Sequence, residues 1–410
     1  MTAASVATAE PPKQGLSGAL RGAAGSLAMP VGSVIFAFVV GGIIVAVTGG
    51  NPFQAYQDLI CGGFGALCIG GQNPALQISN TIVLLTPLIM AGVAVALPFR
   101  AGLFNIGAEG QFLAGAMACT VIGIKLSSWP TPILLPLVLV GGMVAGSLWA
   151  GVAGVLKATV GAHEVVTTIM MNYVAQWLLR YLIIAGPLQL PNGYSVSSPI
   201  GPGARLATLL PQTNQLIFNL PAAVYRVHTG LFIALIAVAV FAFLLWRTAL
   251  GYEIRAAGQS QRAARYAGVS VRRTIVVTML IAGAFSGLAG AVQIAGVDHN
   301  LTDKYFSDTT GFDAIAVALL GLGSAVGIVL AAILFAALHT GGSVMQSDAG
   351  ISSNLVLVVQ ALILFSIAAN FIGAIRGRLP RLGRPRASPP AAAPGPASST
   401  GALGGSEGEP

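Results

Sequence analysis

Long apolar runs separated by short polar or glycine-rich steps fill this chain from residue 30 to residue 373. They fall near 30–48, 78–97, 106–124, 131–155, 165–185, 229–246, 274–296, 311–322, 327–340 and 353–373. Most approach the length of about 20 residues that an α-helix needs to cross a hydrocarbon core about 30 Å thick. The pattern predicts an all-α polytopic membrane protein with about ten transmembrane helices. The eighth and ninth runs are short and are separated by Gly321-Leu322-Gly323-Ser324, so 311–340 reads either as two crossings or as a re-entrant pair of half-helices. Either way the chain returns to the same side. Three parts follow: a polar N-terminal segment 1–29, a membrane domain 30–375, and a tail 376–410 rich in Pro, Ala, Ser and Gly that cannot build a core.

Composition strengthens this picture. Hydrophobic residues make up 55% of the chain and charged residues 8%, against roughly 25% charged in a soluble domain, and the mean hydropathy is +0.83. Fifty-three glycines suit close helix packing in lipid. The formal charge of +8 does not point to nucleic acid, because the arginines gather in loops. The connection 247–273 carries Arg247, Arg255, Arg262, Arg265, Arg272 and Arg273 against Glu253, and Arg376, Arg378, Arg381, Arg384 and Arg386 follow the last run. Arginine resists translocation, so both segments are expected in the cytoplasm. Counting runs then places both termini inside, and puts 49–77, the long connection 186–228 and the acidic stretch with Asp298, Asp303, Lys304 and Asp308 outside. The first run reads as an uncleaved span. Cys119 lies in a span; Cys61 and Cys68 share one loop and are able to bridge if it faces an oxidising side.

Catalytic devices are not found. His163-Glu164-Val165-Val166-Thr167 begins like a zinc-protease motif but has Thr where the second His ligand belongs, and no phosphate-binding G-x-x-x-x-G-K-[ST] occurs. The reading is a transport subunit with no metal or cofactor, dependent on a partner for energy from ATP. The polar break Phe99–Gln111 offers Asn105, suited to a helix cap, Glu109, in a first turn where the helix dipole favours negative charge, and Gln111. Glu164, Thr168, Asn172, Gln176 and Arg180 recur at four-residue steps, a polar stripe flanked by Tyr173 and Trp177. Such a stripe serves either helix–helix hydrogen bonding or the lining of a solute pathway. Asp313 opens the short eighth run, where it either complements a helix dipole or meets a solute. In 247–273 the small residues Ala263, Ala264 and Gly268 lie among arginines, a patch suited to docking into a groove of another protein.

Four stretches carry a family resemblance: Gly102–Gln111, Glu164–Tyr173, Arg255-Ala256-Ala257-Gly258 and Gly311–Gly321. Together they resemble permease subunits of ABC importers in the nucleoside and simple-sugar branch, relatives of the ribose and branched-chain amino-acid permeases, and the likeness covers roughly residues 30–375. One departure is Ser324-Ala325-Val326-Gly327, where related permeases often have a polar-Pro step. The resemblance implies an ABC ATPase subunit, a second permease subunit as a paralogue in a heterodimer, an extracytoplasmic lipoprotein that binds solute, and a bacterial plasma membrane. A substrate pathway is expected through Asn105, Glu109, Gln111, Thr168, Asn172, Gln176 and Asp313, and the resemblance implies that the loop with Arg255, Gly258, Ala263, Ala264 and Gly268 couples to the ATPase. Nucleosides are the expected cargo, with simple sugars as the alternative. An ion-coupled secondary transporter is the rival from another class, and it would need buried charges arranged for coupling.

Overall fold

A computed structural model describes residues 16–68, 73–190, 194–209, 225–306 and 309–368. Asp308, the arginines from 376 to 386, the tail and residues 1–15 lie outside the described residues. Thirteen α-helices occur among those described: α1 Leu16–Val47, α2 Pro52–Phe64, α3 Pro74–Arg100, α4 Ala108–Lys125, α5 Thr131–Thr159, α6 Glu164–Ile184, α7 Gly230–Arg247, α8 Ala249–Gln259, α9 Gln261–Tyr266, α10 Val271–Gln293, α11 Thr310–Leu320, α12 Ala325–Asp348 and α13 Asn354–Ala368. Over its described residues each of the ten apolar runs contains a helix, and six helices among the described residues are long and apolar enough to cross a membrane. The chain is a multi-pass membrane protein.

The helices differ locally from the apolar runs. α1 begins at Leu16, although its apolar span starts at Pro30 as read from the sequence. The stretch 49–77, read as a loop, contains α2. Asn51 caps it by accepting from the Phe53 N–H at 3.0 Å, and Pro52 occupies the first turn. The same Asn-Pro device starts α3 at Pro74, where Asn73 accepts from Ala75 and Leu76. Cys61 and Cys68 are disulfide-bonded and close the turn after α2. In 311–340 the first helix is short, 11 residues or about 16 Å at 1.5 Å per residue. The second runs for 24 residues, so it is a full-length helix and 311–340 is not a pair of halves. Its polar end extends it past 340 because α2 packs there: a Cβ on Gly341 would stand 2.3 Å from the Leu59 carbonyl oxygen.

The centre of the bundle is α3, buried over most of its length, while α1, α5 and α7 expose most of their apolar side chains. Beside α3, helices α4, α5 and α10 meet with almost no side chain between them. A Cβ on Gly287 would lie 2.2 Å from the Gly142 carbonyl oxygen, and one on Gly115 would lie 2.1 Å from that of Gly287. Gly142/Gly146 and Gly283/Gly287 are i, i+4 pairs, the spacing that lets backbones approach in membranes. Part of the connection after α6 is tied to the bundle. Ser197 and Ile200 donate backbone N–H bonds to Leu301 and His299, and Leu206 donates to Ala295, lacing residues 194–209 over the end of α10.

Candidate functional site

The break between α3 and α4 folds back into the bundle. Gly102 takes φ +72°, a conformation that disfavours other residues, and the Leu103 N–H returns to the Pro98 carbonyl at 3.0 Å. Asn105 is fully buried. Gly107 occupies the cap position of α4, so Asn105 is not the cap residue. Its oxygen accepts from the Gly107 N–H at 3.1 Å and from Gln111 Nε2 at 2.9 Å, while its Nδ2 donates to the Ala94 carbonyl and to Gln111 Oε1. Two amides are thus locked face to face. Glu109 stands in the first turn of α4, and its Oε2 accepts the Gly311 N–H of α11 at 2.7 Å. One buried carboxylate therefore serves the positive ends of two helices, which offsets part of its desolvation.

From α6, Asn172 completes this network. Its Oδ1 accepts from the Gly110 N–H at 2.8 Å and its Nδ2 donates to the Ile106 carbonyl at 2.9 Å. Thr168 is buried against Gly107 and bonds back to the Glu164 carbonyl. The structure thus brings Asn105, Glu109, Gln111, Thr168 and Asn172 together at one node joining α3, α4, α6 and α11. Gln176 is half-buried one turn beyond. At the ends of the stripe, Glu164 pairs with Lys157 at 2.8 Å, and Arg180 lies over the rings of Trp177 and Phe306.

Asp313 sits elsewhere, half-buried in the first turn of α11. It accepts from the Thr309 hydroxyl at 3.3 Å and borders a cavity of about 250 Å³ between α3, α10, α11 and α12. Behind this wall the Gly311 backbone rests on that of Glu109, so node and cavity share the start of α11.

A family model described as the branched-chain amino acid transport system / permease component matches residues 77–368. The chain belongs to this permease family. Among curated relatives, a guanosine ABC transporter permease of Bacillus subtilis is 38% identical over 87% of this permease and 97% of its own length. A nucleoside ABC transporter permease of Lactococcus lactis is 35% identical, covering 84% and 91%. A glucose ABC transporter permease of Haloferax volcanii is 37% identical, covering 83% and 87%. Each of the two bacteria also has a second such permease that matches more distantly, at 24% and 22%. No solved structure gives a significant match.

The permease's connection 247–273 folds into the helix pair α8 and α9. Thr248 and Ser260 start them by accepting from the Gly251 and Ala263 N–H groups. Arg255 stacks over the Trp246 ring at 4.3 Å, within the chain. Gly258 lies on the end of α3, where a Cβ would come within 2.1 Å of the Arg100 carbonyl oxygen. The Arg100 guanidinium in turn donates to the Leu322 and Gly323 carbonyls at 3.1 and 3.0 Å. The small-residue patch is divided: Ala264 points inward and is 3% exposed, while Ala263 and Gly268 are exposed. Sequence reasoning passed over Tyr266, which is 94% exposed at the tip of this pair, and gave no role to Arg100.

Proposed function

We propose that this permease is the membrane subunit of an ATP-driven importer of nucleosides in a bacterial plasma membrane, with both termini in the cytoplasm. The observation that carries the reading is similarity, over nearly the whole length, to permeases named for guanosine and nucleosides. The second, more distant permease in each of those bacteria supports a heterodimer of paralogues. An ABC ATPase subunit would dock at α8 and α9, and a lipoprotein would deliver solute on the opposite side.

In this mechanism no covalent step falls to the permease. The exposed face of Ala263, Tyr266 and Gly268, with arginines around it, receives the ATPase motion. Gly258 passes it to the end of α3, and Arg100 passes it to the turn before α12. Moving that turn tilts α11 and changes access to the cavity beside Asp313. Asn105, Glu109, Gln111, Thr168 and Asn172 act on the pathway by positioning α11, and Gln176 and Asp313 face it. The glucose permease relative supports a simple sugar as the alternative cargo.

The test is uptake of labelled guanosine and glucose by cells expressing the permease with and without its ATPase. Guanosine uptake that requires the ATPase is expected. Uptake independent of the ATPase would remove the mechanism, and uptake of glucose alone would change the cargo. Orientation is checked with Arg262→Cys, which a membrane-impermeant thiol reagent should reach only after the cells are opened.

A further inference from the structure

His339 is a side chain that neither the node nor the helix pair uses. It stands midway along α12, a helix apolar enough to cross a membrane, and it is exposed where it borders the cavity. An ionisable group at that depth is costly unless it faces water, a partner or a solute. Around it the cavity has two kinds of wall. Leu84, Pro87 and Phe335 present apolar surface, while Gln293, Thr309 and Asp313 present hydrogen-bonding groups.

The charges nearby restrict what can enter. Lys304, also at the cavity, is ion-paired with Asp298. The same Asp298 accepts from the Tyr305 hydroxyl at 2.5 Å and from Gln293 Nε2 at 3.0 Å. Lys304 and Asp298 offset each other, and Asp313 adds a carboxyl group to the cavity wall. A phosphate or carboxylate on a solute would meet that group with the neighbouring cation already engaged, in surroundings that screen poorly. An uncharged solute meets no such barrier. Imidazole offers it one donor and one acceptor, and the Asp313 carboxylate accepts from O–H or N–H.

We propose that this cavity is a subsite for uncharged solutes that combine an apolar ring face with a hydrogen-bonding edge, with His339 and Asp313 as its specificity-determining residues. The proposal rests on the importer reading and adds to it the residues and a charge rule: nucleosides pass and their phosphates do not. A volume of about 250 Å³ falls just short of the roughly 300–1,000 Å³ of whole-ligand pockets. The subsite therefore takes the base or the sugar, and the facing permease subunit contributes the rest.

The test uses the assembled importer and guanosine as probe. His339→Leu fills similar space without polar atoms, and guanosine uptake should fall about tenfold or more, because buried polar partners are left unmatched. His339→Gln keeps a donor and an acceptor and should recover uptake to within about threefold. In a second arm, His339→Cys is treated with cationic and anionic methanethiosulfonates, each rate taken relative to a free thiol. The cationic reagent should react roughly tenfold faster, and adding Asp313→Asn should close the gap. Wild-type uptake by His339→Leu, equal loss in the Leu and Gln variants, or equal reagent rates would each overturn the proposal. A wild-type complex that takes up no guanosine removes the importer reading instead, and the reagent ratio still judges the charge rule by itself.

Discussion

In the α4–α5–α10 block, helices touch backbone to backbone, so that a single methyl group at Gly142, Gly146, Gly283 or Gly287 has nowhere to go. α11, by contrast, is fixed at its two ends by polar contacts: Glu109 accepts the Gly311 N–H of its first turn, and Arg100 grips the turn that follows it. The two constructions respond differently to load. Packed glycine faces lose their contacts all at once if they separate, whereas hydrogen bonds at helix ends exchange one partner for another at modest cost. The difference separates a frame from a part that is able to move.

Substitutions test that division, beginning with the most damaging. Gly287→Leu should destabilise the permease by more than about 3 kcal/mol, since backbone atoms rather than side-chain tips must shift. A normal thermal midpoint in detergent would remove the frame from the comparison. Glu109→Ala leaves the Gly311 N–H without its acceptor and should cost about 1–3 kcal/mol, with uptake reduced tenfold or more. Glu109→Gln restores a neutral acceptor and should recover part of both, and uptake unaffected in both variants would show that α11 needs no such anchor. In the helix pair, Ala264→Leu should lower stability by about 1–3 kcal/mol through overpacking, whereas Ala263→Leu should stay within about 0.5 kcal/mol and weaken ATPase docking. Equal effects at the two positions would mean that the inward and outward faces are wrongly distinguished.

The smallest effect concerns the connection before α7. His228 is buried, its Nδ1 accepts from the Gly230 N–H at 3.1 Å, and burial, with His299 nearby, pushes its pKa down from 6.5 to about 4. A depressed histidine pKa means that the unfolded form binds the proton more readily. Its contribution to stability is therefore complete above pH 6.5 and is lost as the pH falls toward 4. Amide exchange at Leu209 and Thr229, whose bonds tie this segment down, should accelerate over that window, and His228→Phe should flatten the response. Acceleration that persists in the variant would assign the titration to another group.

The apolar runs were readable because lipid imposes one length on every crossing helix. Two Asn-Pro pairs that start helices went unread: α2, begun at Asn51-Pro52, has only 13 residues, too few to stand out as a span. The four-residue polar stripe located Thr168 and Asn172 on the same face, but periodicity along one helix carries no information about what lies opposite. That Glu109 meets Gly311, 202 residues away, follows from packing alone. The division between Ala263 and Ala264 was hidden for a similar reason, since a helix of six residues has too few turns to display an inward face. His339 had a signal that was passed over: an ionisable residue inside an apolar run.

Arg100 holds the consecutive carbonyls of Leu322 and Gly323, both of which adopt left-handed conformations, with φ 51° and 58°. For leucine that backbone costs roughly 1–2 kcal/mol, and its side chain, 45% exposed, recovers little of it by burial. Leucine there has few other turn shapes within reach once the clamp is set, whereas glycine would sample several. The bend between α11 and α12 is accordingly a stiff elbow rather than a hinge, so a push on it should swing both helices as one lever.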